Sequence, residues 1–99
     1  MYLIDDNEIC IDLWKIIAHY GYSNQKKKAI EELGELTQAL SKDLQYETNR
    51  DHISEEMADV MIMLNQLMLI YGNRGEIVRH IMEKLERTID VVDRERETC

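Results

Sequence analysis

No proline interrupts the 99 residues of this chain, and its apolar side chains recur every three or four positions rather than every second one. With no β-branched runs bounded by turn signals either, the pattern predicts an all-α fold. The first helix is expected after Asp5, Asp6 or Asn7 as cap, with Ile9, Leu13, Ile16, Ile17 and Tyr20 on one face and Gly21 as its end. Ser23 or Asn24 is expected to cap the second, whose apolar stripe reads Ala29, Leu33, Leu36, Leu40 and Leu44. A polar stretch from Lys42 through Asn49 reads as a turn. The third helix runs from about Arg50 to Tyr71 and is closed by Gly72 and Asn73. The fourth starts near Gly75 and carries Ile77, Val78, Ile81, Met82, Leu85, Ile89 and Val92 before a charged tail, DRERETC. Residues 1–99 make one domain, since a chain this short has little surface to spare for two cores. The expected protomer is a four-helix bundle-like unit with a central antiparallel hairpin.

Charge narrows the partners. A formal net charge of −8 argues against a nucleic-acid polymer, whose affinity comes from lysine and arginine meeting phosphate, while leaving open a single nucleotide held through metal ions. The apolar run from Val60, VMIMLNQLMLIY, is broken by Asn65 and Gln66 and falls well short of the roughly 20 residues a membrane span needs. The acidic opening MYLIDDNEIC lacks the basic and apolar regions of a secretion signal, and Cys10 and Cys99 offer neither a disulfide framework nor zinc spacing. A reducing, cytoplasmic setting is expected.

Two clusters of acids then stand out: Glu31, Glu32 and Glu35 in AIEELGEL, and Glu55, Glu56 and Asp59 in ISEEMADV. The segments echo each other as EExxE/D followed by apolar residues. On a helical wheel at about 100° per residue, Glu32 and Glu35 border one apolar stripe and Glu56 and Asp59 border the other. Positions opposite one another in an antiparallel hairpin have numbers with a constant sum, so the two pairs face each other if the turn centres near residue 45 or 46. That point falls inside the polar stretch. Glu31 and Glu55 lie further from the stripes, and Glu55 is read as a solvated charge.

Charged helical residues are usually a solvated face. Here, however, Glu31 with Glu35 and Glu55 with Asp59 are like-charged i,i+4 pairs, which cost an isolated helix a few tenths of a kcal/mol each, roughly. Facing carboxylates also raise each other's pKa unless a cation compensates. Oxygen ligands without His or Cys select Mg²⁺ or Mn²⁺ over zinc or copper, and the absence of Glu-x-x-His disfavours a di-iron bundle.

Lys28-Ala-Ile-Glu31-Glu32-Leu-Gly-Glu35-Leu36, followed by Glu56-Met-Ala-Asp59, resembles the EExxE…ExxD signature of the MazG-like, all-α nucleoside triphosphate pyrophosphohydrolases. The resemblance spans roughly Ser23 to Arg87. It implies that Glu32, Glu35, Glu56 and Asp59 coordinate Mg²⁺, with Glu31 as a further ligand or as the base that activates water. It implies cleavage of a (d)NTP between the α and β phosphates, giving a monophosphate and pyrophosphate. Lys84-Leu-Glu-Arg87 is similar to the family's basic element that contacts phosphate, although Met82 stands where many members have an asparagine. Lys28 enters as a phosphate contact through the motif; for Lys26 and Lys27, pairing with the acids or plain exposure is the alternative.

Remaining candidates are judged by residue type. Trp14, Tyr20 and Tyr22 are able to stack on a base, or to serve as core or interface. Asn65 is placed to hydrogen-bond a base or sugar, or to satisfy a buried backbone group. His19, His52 and His80 lack metal-ligand spacing and read as surface or helix-end residues. Apolar residues surround the third helix on nearly every side, more than a small protomer covers, so a homodimer or homotetramer is expected. Competing readings are a non-enzymatic acidic helical interaction module and a pyrophosphohydrolase specific for phosphoribosyl-ATP or dUTP. The module explains the charge but not the matched placement of the acids.

Overall fold

Local signals at the helix ends set the frame of the structure, a computed structural model that describes residues 6–46 and 49–97. Asp6 caps α1 (Asn7–Tyr20): its Oδ1 accepts from the backbone N–H of Glu8 at 2.9 Å and of Ile9 at 3.3 Å. Gly21 ends α1 with φ of 90°, a conformation that favours a residue without Cβ, and its N–H returns to the Ile17 carbonyl. The same glycine directly precedes α2 (Tyr22–Gln45), so the two helices meet at a single-residue corner. Ser23 and Asn24 do not cap α2. They lie inside it, and Asn24 Nδ2 instead donates to the Tyr20 carbonyl at 2.8 Å, satisfying the end of α1 across the corner.

α2 continues through Lys42–Gln45, four residues into the expected turn, because nothing in KDLQ breaks a helix. Asn49 then caps α3 (Arg50–Tyr71), accepting from Asp51 N–H at 2.9 Å, and left-handed Gly72 closes it. α4 (Arg74–Glu97) takes in DRERE, so that tail is helical rather than loose. The cap alternative Asp5, the turn residue Thr48 and Cys99 lie outside the described residues. No strand occurs among the described residues, and no helix there is long and apolar enough to cross a membrane.

The helices do not share one core equally. α2 and α3 pack along their length as the antiparallel hairpin, and α1 crosses both. The buried set is Leu13 and Ile17 from α1, Gln25, Ala29, Glu32 and Ala39 from α2, and Val60, Met63, Asn65 and Gln66 from α3. This corrects the apolar stripe expected for α2. The line that faces α3 runs through Gln25, Ala29, Glu32, half-buried Leu36 and Ala39, while Leu33 and Leu40 are about half exposed and Leu44 is 90 % exposed. Alanine and carboxylate positions let the two backbones approach, and the leucines sit one position further round.

α4 departs furthest from expectation. None of its residues is buried, only Ile77 and Ile81 are even half-buried, and Val78, Met82, Leu85, Ile89 and Val92 are exposed. A protomer with four mutually packed helices is therefore corrected to a three-helix unit with a long projecting fourth helix. The radius of gyration is 16.9 Å, against roughly 13 Å for a compact domain of this length.

Candidate metal centre and nucleotide cleft

Glu32 and Glu35 sit on α2 one turn apart, and Glu56 and Asp59 stand opposite on α3. One carboxylate oxygen from each lies within 4.8 Å of all the others. The hairpin register explains the meeting: Glu32 with Asp59, Glu35 with Glu56, and the hydrogen-bonded pair Gln25 and Gln66 all share one constant sum of residue numbers. The pairing register is therefore the one expected.

The four acids are not equivalent. The Glu32 and Glu56 side chains are only 8 % and 12 % exposed, whereas Glu35 and Asp59 open to solvent. Glu32 Oε2 and Glu56 Oε2 are buried with no hydrogen-bond partner among the described residues. A buried polar atom left unpartnered costs about 1–3 kcal/mol, more when charged. Two such oxygens on members of one four-carboxylate cluster fit a bound cation, and an all-oxygen donor set fits Mg²⁺ or Mn²⁺.

Electrostatics agree. The Glu35 carboxyl is held above its ordinary range, first by the charge of Glu32, then by partial desolvation, a hydrogen bond to Glu32 and the charge of Glu56; Lys28 offsets this only in part. Lys28 Nζ lies 3.1 Å from Glu32 Oε1 and 3.7 Å from Glu31 Oε2, and the hydrogen bond and charge of Glu32 hold its ammonium above the ordinary lysine range. Lys28 thus supplies counter-charge to the α2 acids. His52, read as a surface or helix-end residue, is exposed in the first turn of α3 and places Nε2 at 3.9 Å from Glu56 Oε1. Its i,i+4 spacing to Glu56 was the available signal.

A cleft of about 580 Å³ opens beside the acids, within the range of small-molecule sites. Lys28, Glu31, Glu32 and Asp59 line it together with Asn24 and Lys27, and it continues to Ile16, Tyr20, Gln25, Ile62, Met63 and Gln66. Glu31, 64 % exposed, stands at the cleft beside the four-acid cluster rather than within it. Glu55 is exposed, as expected. The amides of Gln25 and Gln66 were missed, although glutamines at positions where the α2 and α3 stripes demand apolar residues were visible.

Other candidates are not brought to this cleft within the protomer. Trp14 stays 43 % exposed on α1 away from the lining. Asn65 is buried, donates from Nδ2 to the Met61 carbonyl at 2.8 Å, and lines a small cavity of about 60 Å³ with Cys10, Leu13, Met68, Leu69 and Arg74. Lys84 and Arg87 flank a shallow depression on α4 with Thr88 and Val91.

Searches among curated proteins and among solved structures return no match. The family model for the MazG nucleotide pyrophosphohydrolase domain matches residues 21–92, from the α1–α2 corner into the last turns of α4. Both acid pairs, the cleft's α2 and α3 walls and the Lys84/Arg87 element all fall within that span. With most of its length matched and its four acids converging on one point, the chain belongs to the MazG nucleotide pyrophosphohydrolase family.

Proposed function

We propose that this protein is a Mg²⁺-dependent pyrophosphohydrolase that cleaves (d)NTPs between the α and β phosphates, releasing a nucleoside monophosphate and pyrophosphate. The observation that carries the reading is the convergence of four carboxylates within 4.8 Å, two of them with buried oxygens that no donor among the described residues satisfies. Glu32, Glu35, Glu56 and Asp59 would hold Mg²⁺, with Mn²⁺ as substitute. When bound, the metal neutralises triphosphate charge and lowers the pKa of water.

The protein's own groups do the rest. Glu31, exposed beside the cluster, takes the proton of the attacking water. The new P–O bond forms at the α phosphorus, and the bond to the bridging oxygen breaks with its electron pair leaving on pyrophosphate. Lys28, one turn before Glu32, is positioned for an incoming phosphate once a cation relieves it of its pairing. Lys84 and Arg87 supply further positive charge from α4, in a homodimer or homotetramer that covers the apolar stripe of that helix. Phosphoryl transfer asks for positioning and charge, and no Ser, Cys or His nucleophile is required. A cytoplasmic setting fits the absence of a disulfide framework.

Incubation with each canonical and modified (d)NTP plus Mg²⁺, assayed for pyrophosphate against orthophosphate, tests the proposal. Mg²⁺-dependent pyrophosphate release is expected. No turnover together with no Mg²⁺-dependent stabilisation would remove the enzyme reading, and full activity in Glu56→Ala or Asp59→Ala would remove the site assignment.

A further inference from the structure

We infer that Gln25 and Gln66 form a base-reading element at the inner end of the cleft and set which nucleobase the protein accepts; this rests on the proposed nucleotide chemistry. Both side chains are buried, at 5 % and 1 % exposure, yet both line the cleft that holds Glu32 and Asp59. Gln25 Nε2 donates to Gln66 Oε1 at 2.8 Å, and Gln66 Nε2 is turned to the Met63 sulfur at 3.7 Å, a weak acceptor. Gln66 thereby fixes the orientation of the Gln25 amide. Among the described residues, Gln25 Oε1 and its second N–H have no other partner, so one carboxamide keeps an acceptor and a donor for a ligand. That is the arrangement with which an amide side chain grips the edge of a base.

Position supports the assignment. Gln25 lies two turns before Glu32 and Gln66 two turns after Asp59, on the same helix faces, about 10 Å along the hairpin from the acids at 1.5 Å per residue. This is comparable to the reach from the α phosphate of a nucleotide to the far edge of its base. Ile16, Tyr20, Ile62 and Met63 supply apolar faces for a flat ring, and Lys27 and Lys28 lie along α2 between the amide and the acids. A base between apolar walls with its edge on a fixed amide is held by shape and by hydrogen bonds together. If the pair served only to hold the hairpin register, an apolar pair of the same shape would do so at least as well.

The test uses near-isosteric variants, Gln25→Met, Gln66→Met and the double variant, with thermal melting to follow folding. In each, kcat/KM is measured for the full panel of (d)NTPs with Mg²⁺. A site built on hydrogen bonds discriminates strongly, so the spread in kcat/KM across bases is expected to shrink about tenfold or more, carried mainly by KM. A parallel measurement on the wild-type protein follows the Gln25 side-chain amide resonances by NMR. They are expected to shift with an α,β-methylene nucleotide and not with inorganic tripolyphosphate. A spread that survives in folded variants, a wild-type protein that treats all bases alike, or amide resonances that respond equally to both probes would overturn the inference. A wild-type protein that releases pyrophosphate from no nucleotide breaks the functional proposal instead, and the NMR comparison then decides base binding by itself.

Discussion

The α2–α3 hairpin and α4 carry similar apolar stripes in sequence and have opposite fates in the fold. The hairpin turns its stripes on each other, burying Ala29, Ala39, Val60 and Met63 and enclosing the charged oxygens of Glu32 and Glu56. α4 runs for 24 residues and buries none of them. One region is complete within a single chain, whereas the other leaves Leu85, Ile89 and Val92 in water and Lys84 and Arg87 away from the acids. The acid cluster thus lies in the part whose apolar residues are covered within the chain, and Lys84 and Arg87 lie in the part whose apolar stripe is left exposed.

The largest expected effect lies in the hairpin. Asp59→Ala and Glu56→Ala each remove one proposed metal ligand and are expected to lower the proposed pyrophosphate release by about a hundred- to a thousandfold, with the helical circular-dichroism signal retained. Next comes α4. Replacing Leu85 and Ile89 together by Asp is expected to weaken subunit association by at least about a hundredfold, given about 1.5–3 kcal/mol per buried aliphatic side chain. Light scattering across a dilution series reads this, and activity is expected to fall along with assembly. If activity survives dissociation, Lys84 and Arg87 do not act from α4 of a partner.

A smaller effect separates the two regions by concentration dependence. Ile17, 1 % exposed where α1 crosses the hairpin, is core of the single chain. Ile17→Val is expected to cost about 0.5–1.5 kcal/mol, measured by denaturant unfolding and independent of protein concentration. The smallest effect is on pH. Without metal, the folded-state pKa of Glu35 is raised above its unfolded value, so the folded protein holds this proton more tightly. Glu35 therefore opposes folding at neutral pH, and stability rises as pH falls through its raised folded pKa. Thermal midpoints measured against pH in EDTA should show that rise, and Glu35→Gln or saturating Mg²⁺ should remove it.

These contrasts also explain what was legible in sequence. The hairpin site was readable because its determinants are local and periodic: EExxE, ExxD, a polar turn, and a register that arithmetic alone brings into line. Asp6, among three cap alternatives, and Gly72 were readable for the same reason, each being satisfied within a few residues. Leu33, Leu40 and Leu44 were misplaced because a wheel reports that a face is apolar, not which neighbour covers it. Asn24 was misread because its side chain serves the helix before it rather than its own. The packing of α4 had no local signature, since an amphipathic helix looks the same whether its partner lies in the same chain or in another. Gln25 and Gln66 show their role only once the register pairs them.

The central claim is that the four hairpin acids make one divalent-metal site. Paramagnetic broadening of backbone amide resonances on titration with Mn²⁺ tests it most directly. The account predicts saturable broadening centred on residues 32, 35, 56 and 59, displaced by Mg²⁺ and lost in Asp59→Asn. Broadening centred on the acidic end of α4, or unchanged in that variant, would contradict it.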